Sequence, residues 1–127
     1  MNLMKTFSIE LPFPPSVNAY YRAISRGKFC QSIISEKGRK YKADVEMLFN
    51  SIGGKIPEGM PSSDRLTVDI ALYPPDKRRR DLDNHLKALL DSCTGHIWED
   101  DEQIDRLIME RKEAIKGGKI EMTVEVR

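Results

Sequence analysis

Apolar residues recur at offsets of 0, 4, 7, 8 and 11 in two stretches: Tyr41, Val45, Leu48, Phe49 and Ile52, then Leu82, Leu86, Leu89, Leu90 and Cys93. That spacing places each set on one helical stripe. The first helix is predicted from Ser35, whose hydroxyl can cap it, to about Ser51, with Gly53-Gly54 as its stop. The second is predicted from Asp83 to about Thr94, with Gly95 as its stop. A period of two marks strands instead. Leu66, Val68, Ile70 and Leu72 alternate up to Pro74-Pro75, and Ile120, Met122, Val124 and Val126 alternate after Gly117-Gly118. Those glycines and the short spacing predict that the last strand pairs with the segment before it. Thr6 to Leu11 is a shorter β-prone run. Pro12, Pro14 and Pro15 must end it, because proline cannot donate to a ladder. Tyr20 to Ile24 and Phe29 to Ile34 flank Ser25-Arg26-Gly27-Lys28, a predicted hairpin. The stretch from Gln103 to Ile115 stays open. Ile104, Leu107, Ile108 and Ile115 fit a helix, and Ile104 to Met109 fits a strand equally well. Gly53 to Asp64, rich in Gly, Pro and Ser, reads as an exposed loop with no assignable chemistry.

Helices with one apolar stripe and alternating strands predict an α/β fold of the α+β type. Two main amphipathic helices would pack on a small mixed sheet, in a single domain spanning 1–127. A chain of 127 residues can hold one real core without disulfide or metal staples. With 39% apolar positions, wholesale disorder is excluded. No apolar run approaches the roughly 20 residues of a membrane span, and the first ten residues lack a signal-peptide pattern. A cytoplasmic protein without a membrane partner is expected. Cys30 and Cys93 are then expected as reduced, partly buried thiols. No Cys-x-x-Cys or His-x3-His pair is present, which argues against zinc.

The net charge of +1, from 21 basic and 20 acidic residues, hides segregation along the chain. Arg22, Arg26, Lys28, Lys37, Arg39, Lys40 and Lys42 stand against Glu36 alone, and Lys77 to Arg80 adds four consecutive cations. Glu99, Asp100, Asp101, Glu102 and Asp105 concentrate negative charge. Basic blocks can track phosphates, and clustered acids repel one another or share a cation. Any one such run is also what a solvated face looks like.

The chemistry concentrates in Arg78-Arg79-Arg80-Asp81-Leu82-Asp83-Asn84 and Lys87. Asp81 and Asp83, two apart, lie on one side of an extended segment, whereas in mid-helix they would splay by about 200°. Asp81 is therefore expected in the extended approach and Asp83 near the helix N-cap, accepting backbone N–H bonds. Asp83, Lys87 and Asp91 form one polar line opposite the leucine stripe. If the chain after Gly95 returns, Asp100-Asp101 joins Asp81 and Asp83, and three or four carboxylates crowd together. They cannot all stay ionised without protons or a cation. Oxygen-only ligands favour Mg²⁺ or Mn²⁺, and a nearby lysine in a basic surround suits phosphodiester hydrolysis.

The run from Asp76 to Asn84 with Lys87 resembles the signature of the RusA family of Holliday-junction resolvases. Leu11-Pro12-Phe13-Pro14-Pro15-Ser16-Val17-Asn18 with Tyr20-Tyr21-Arg22 is similar to the family's N-terminal motif. Trp98-Glu99-Asp100-Asp101-Glu102-Gln103 resembles its second acidic motif, and Lys116-Gly117-Gly118 its last turn. The resemblance implies a Mg²⁺-dependent endonuclease acting as a homodimer on four-way DNA junctions, and the oxygen-only donor set lets Mn²⁺ substitute. It implies metal-ligand aspartates at Asp81, Asp83 and Asp101, with Asp100 assisting, and a functional lysine at Lys87. It also implies a strand from Gln103 to Glu113. The Gly53–Asp64 loop has no match in the pattern.

A two-fold dimer suits a two-fold junction, with one site on each of two opposed strands. Arg79, Arg80, Arg22, Arg26 and Lys28 are then candidate backbone contacts, each neutralised phosphate adding about −0.9 to the log–log salt slope. Tyr20, Tyr21 and Phe29 are candidates for stacking on exposed bases, or else for filling the sheet face or dimer interface. The alternative is a non-catalytic nucleic-acid-binding protein on the same scaffold. A small-molecule phosphohydrolase would need a phosphate loop, and no Gly-rich one is present.

Overall fold

The computed structural model describes residues 6–127. Its strands are β1 (Thr6–Leu11), β2 (Tyr21–Arg26), β3 (Phe29–Ile34), β4 (Leu66–Tyr73), β5 (Ile104–Arg111) and β6 (Lys119–Val126). The helices are α1 (Val17–Tyr20), α2 (Glu36–Ser51) and α3 (Leu86–Cys93), with 3-10 turns at Gly53–Lys55, Leu82–His85 and Asp101–Gln103. A mixed four-stranded sheet runs β1-β6-β4-β5, and β2-β3 forms a separate hairpin. The α+β expectation holds.

β4 is central because its alternating side chains Leu66, Val68, Ile70 and Leu72 are all buried. It pairs antiparallel with β6 and parallel with β5. A parallel pair needs a crossover, and α3 supplies it. The undecided stretch is therefore a strand, as the family resemblance implied, its period overridden by pairing to β4. The expected hairpin between the last two strands does not form. β6 lies between β1 and β4 instead, because the chain after β5 crosses the end of β4. Lys112 N donates to Leu72 O (2.8 Å) and Ile115 N to Pro74 O (2.9 Å) along that path. Gly117 and Gly118 then reverse the chain with φ of 83° and 66°, a region that favours glycine.

α2 begins where predicted, with Ser35 Oγ accepting from Gly38 N at 3.0 Å. Tyr41, Val45 and Phe49 of its stripe are buried. In α3 the stripe is rotated from the predicted one. Ala88, Leu89, Ser92 and Cys93 are buried, with His85 just before them, while Leu82, Leu86 and Leu90 are only half-buried. The opening turn is 3-10, which advances about 120° per residue instead of 100° and so shifts the phase. Cys93 is fully buried, and burial pushes its thiol up to about 12. Cys30 is exposed, against the expectation of partial burial, and both cysteines are free.

Gly38 marks the tightest approach. A Cβ there would stand 2.7 Å from both Ile34 Cγ2 and Tyr20 O, where α2 presses on the end of α1. Helix propensity favours alanine, but the backbone carbonyl cannot move aside. Gly38→Ala is expected to destabilise the fold by about 1–3 kcal/mol, the usual cost of overpacking. Urea unfolding checks this, and an unchanged or higher midpoint contradicts it.

Candidate active site

The loop after β4 folds around Asp76. Its carboxylate accepts from Arg78 N (2.9 Å) and from Arg80 Nη1 (2.8 Å). Arg80 is thereby drawn in to 17% side-chain exposure, with its guanidinium 5.8 Å from the centre of the Phe13 ring. Arg111 Nη2 donates to Arg80 O at 2.6 Å, tying the loop to the end of β5. Arg79 is exposed and makes no side-chain hydrogen bond or ion pair among the described residues. Of the two arginines expected on the DNA backbone, Arg79 is free and Arg80 is committed to the loop.

Arg80 and the Arg78 amide hold the Asp76 carboxyl down at about 2, against an ordinary 3.8. A folded-state value below the unfolded one adds stability that is complete above about pH 4. It is lost as pH falls through 2. Protection of the Arg78 amide, the intrinsic exchange rate at each pH divided by the observed one, is thus expected to fall between pH 4 and 2 in the wild type, while Asp76→Asn removes that step.

Asp81 follows in extended backbone (φ −76°, ψ 140°), as predicted. Asp83 does not cap a helix. It sits inside the 3-10 turn, where neither that turn nor α3 has a side-chain cap. Both carboxylates are exposed, and neither makes a hydrogen bond or ion pair among the described residues. With Arg78, Arg79 and Arg111 they line an open groove of about 880 Å³.

One turn on, Lys87 Nζ lies 3.1 Å from Asp91 Oδ1. Asp91 Oδ2 in turn accepts from the Tyr20 hydroxyl at 3.1 Å. The hydrogen bond to Asp91 is the main cause that raises the Lys87 pKa, with a further contribution from Asp101, so Lys87 is an ammonium at neutral pH. Tyr20 is fully buried, edge-on to Tyr21, and is corrected from a base-stacking candidate to part of the core. Tyr21 is half-buried.

Asp100 and Asp101 are placed by a tight turn. Gly95 takes φ 90°, and its N–H donates to Trp98 O at 2.7 Å. Ile97 and Trp98 are fully buried beneath. Asp100 then caps the following 3-10 turn, its Oδ1 accepting from Glu102 N at 3.0 Å. Asp101 is half-buried and carries no protein partner among the described residues. A second opening, of about 310 Å³, is lined by Lys42, Lys87, Asp91, Glu99, Asp100 and Asp101.

The four candidate aspartates do not crowd into one cluster. Among the described residues no three His, Cys, Asp or Glu stand close enough to hold an ion together. Topology explains the separation. Asp81 is reached from the end of β4, while Asp101 precedes the start of β5, and parallel strands put those two points at opposite ends. The polar line of Asp83, Lys87 and Asp91 connects the two openings.

The family model described as Endodeoxyribonuclease RusA matches residues 12–126. The chain is 40% identical over 118 residues to the crossover junction endodeoxyribonuclease rusA of Enterobacteria phage HK97, covering 92% of each chain. It is 38% and 37% identical over 122 residues to proteins named crossover junction endodeoxyribonuclease RusA from Shigella sonnei (strain Ss046) and Escherichia coli (strain K12), covering 95% of each chain. The chain belongs to the RusA family.

In this RusA domain the remaining cations sit on the β2-β3 hairpin, where Arg22 and Lys28 are exposed. The side chains of Arg26 and Phe29 lie outside the described residues. No helix among the described residues is long and apolar enough to cross a membrane. Sequence reasoning placed Asp91 only on a polar line and gave Asp76 no role beyond opening a motif. Their spacing to Lys87 and Arg80, four residues in each case, was the available signal.

Proposed function

We propose that this RusA-family chain is a Mg²⁺-dependent endodeoxyribonuclease that resolves four-way DNA junctions by paired symmetric nicks, acting as a homodimer. The observation that carries the reading is a set of three carboxylates, Asp81, Asp83 and Asp101, without side-chain partners among the described residues on either side of a protonated Lys87. Unpaired surface acids are ordinary singly, and what supports the reading is that these three stand beside the arginine run and Lys87 in the segments that resemble the family's two acidic motifs.

The donor set fits a hard divalent ion, being oxygen only. Mg²⁺ keeps several waters and is usually held by one or two carboxylates together with substrate phosphates. Two separate acidic pairs therefore suit it better than a closed four-ligand cage. Asp81 and Asp83 would hold such an ion at the first opening, and Asp101, with Asp100, would hold one at the second. When bound, the ion supplies Lewis-acid stabilisation and a more acidic water.

Lys87 contributes as a fixed positive charge. Its Nζ is oriented by Asp91, and Asp91 by buried Tyr20, so the ammonium is held before DNA arrives. A raised pKa excludes it as a base near neutrality and suits it to offset charge on the scissile phosphate or the leaving oxygen. Arg79, beside the first opening, is placed to contact the backbone, and the hairpin cations Arg22 and Lys28 extend the basic surface.

Mapping nicks on a synthetic four-way junction with each strand labelled in turn tests the reading. The expected result is cuts at symmetric positions on two opposed strands. Nicks confined to one strand, or scattered without symmetry, contradict the dimer resolving a junction.

A further inference from the structure

Gln103 belongs to the second acidic motif but has no place in the chemistry above. Its side chain is buried, with only 6% exposure, and uses its full hydrogen-bonding capacity. Oε1 accepts from Glu99 N and Asp100 N, each at 2.9 Å. Nε2 donates to Ser62 O and Asp64 O, each at 2.8 Å. The partners are two N–H groups on one side and two carbonyls on the other, so the amide has one orientation.

We infer that Gln103 is a positioning residue for the acidic pair Asp100-Asp101, and that the end of the Gly53–Asp64 loop serves the site by anchoring it. The inference rests on the proposed role of Asp101. The amide is a joint between two irregular segments that otherwise meet at a single β-bridge, Ser62 to Trp98, where Glu99 N also reaches Ser62 O at 3.3 Å. On one side it grips the backbone of Glu99 and Asp100 immediately before Asp101. On the other it is fixed by a loop that is itself pinned, since Ser62 N donates to Ile97 O at 2.8 Å and Ser62 Oγ accepts from Asp64 N at 3.0 Å. Glutamate at this position would set a carboxylate against the two carbonyls, and a methionine of similar volume would satisfy none of the four groups. The loop that had no assignable chemistry thus acquires a role through its backbone, which explains why its side chains gave no signal.

The test compares Gln103→Met with the wild type and with Ile70→Val, a core change in β4 far from the motif. Two quantities are read: amide proton exchange at Glu99 and Asp100, and the Mg²⁺ concentration giving half-maximal nicking of a four-way junction. Gln103→Met is expected to speed exchange most at Asp100, since Glu99 N keeps Ser62 O, and to raise the Mg²⁺ requirement about 10- to 100-fold, the usual effect of losing a group that orients a metal ligand. Ile70→Val is expected to do neither. If Gln103→Met does not fold, Gln103→Asn, with the same groups on a shorter stem, is expected to give the same pattern in weaker form. Unchanged exchange, or fast exchange with an unchanged Mg²⁺ requirement, overturns the inference. A wild type that does not cut junctions refutes the proposed function instead, and the exchange result alone then decides whether Gln103 holds the acidic turn.

Discussion

Asp81→Asn and Asp83→Asn are each expected to slow junction nicking by about 10²-fold or more, the scale of losing a group that stabilises transition-state charge, while DNA binding persists. Both side chains are exposed and make no hydrogen bond or ion pair among the described residues. Neither substitution therefore removes a contact that the fold uses. Each also deletes a negative charge beside the basic groove, so affinity for phosphates is expected to hold or rise. Single-turnover nicking measures the first effect, and binding without divalent ion measures the second. Equal loss of binding and cleavage in a folded variant argues against a purely catalytic role.

The largest stability effect is expected at Trp98. Its ring is fully buried, and its indole N–H donates to Thr94 Oγ1 at 3.1 Å. Trp98→Ala is expected to cost about 3–5 kcal/mol, as for other buried aromatic truncations. That is a large part of the roughly 5–15 kcal/mol by which a typical domain is stable. Trp98 is the single tryptophan, so unfolding of the variant should be followed by far-UV circular dichroism. The loss falls under the turn that carries Asp100 and Asp101, and nicking should weaken even at temperatures where the variant stays folded. A loss below about 1 kcal/mol would show that the surface around the ring relaxes into the gap.

Much of the fold is written in local patterns. The alternation from Leu66 to Leu72, the cap at Ser35 and the prolines after Leu11 act within a few residues of themselves, and the structure follows them. What local pattern does not encode is partner choice. β6 joins β1 and β4 rather than its neighbour in sequence because Lys112 and Ile115 carry the chain across β4. The strand from Ile104 to Arg111 is decided by the same central strand. Asp81, Asp83, Lys87 and Asp101 are singled out as candidates in the sequence because the proposed chemistry needs those residue types at those spacings. Their separation into two openings is not legible there, since it follows from the parallel crossover. The supporting residues were harder still: Asp91 orients Lys87 from ordinary helical spacing, and Gln103 acts through backbone groups of residues 39 and 41 positions away. Tyr20, an aromatic beside cations that the sequence left open between stacking on bases and packing, is core.

The most direct measurement is nicking of a synthetic four-way junction with and without Mg²⁺, beside a linear duplex of the same sequence and the Asp101→Asn variant. The expected result is nicking that requires Mg²⁺, occurs only on the junction and disappears in the variant. Tight junction binding without nicking in Mg²⁺ or Mn²⁺, or equal cutting of the duplex, contradicts it.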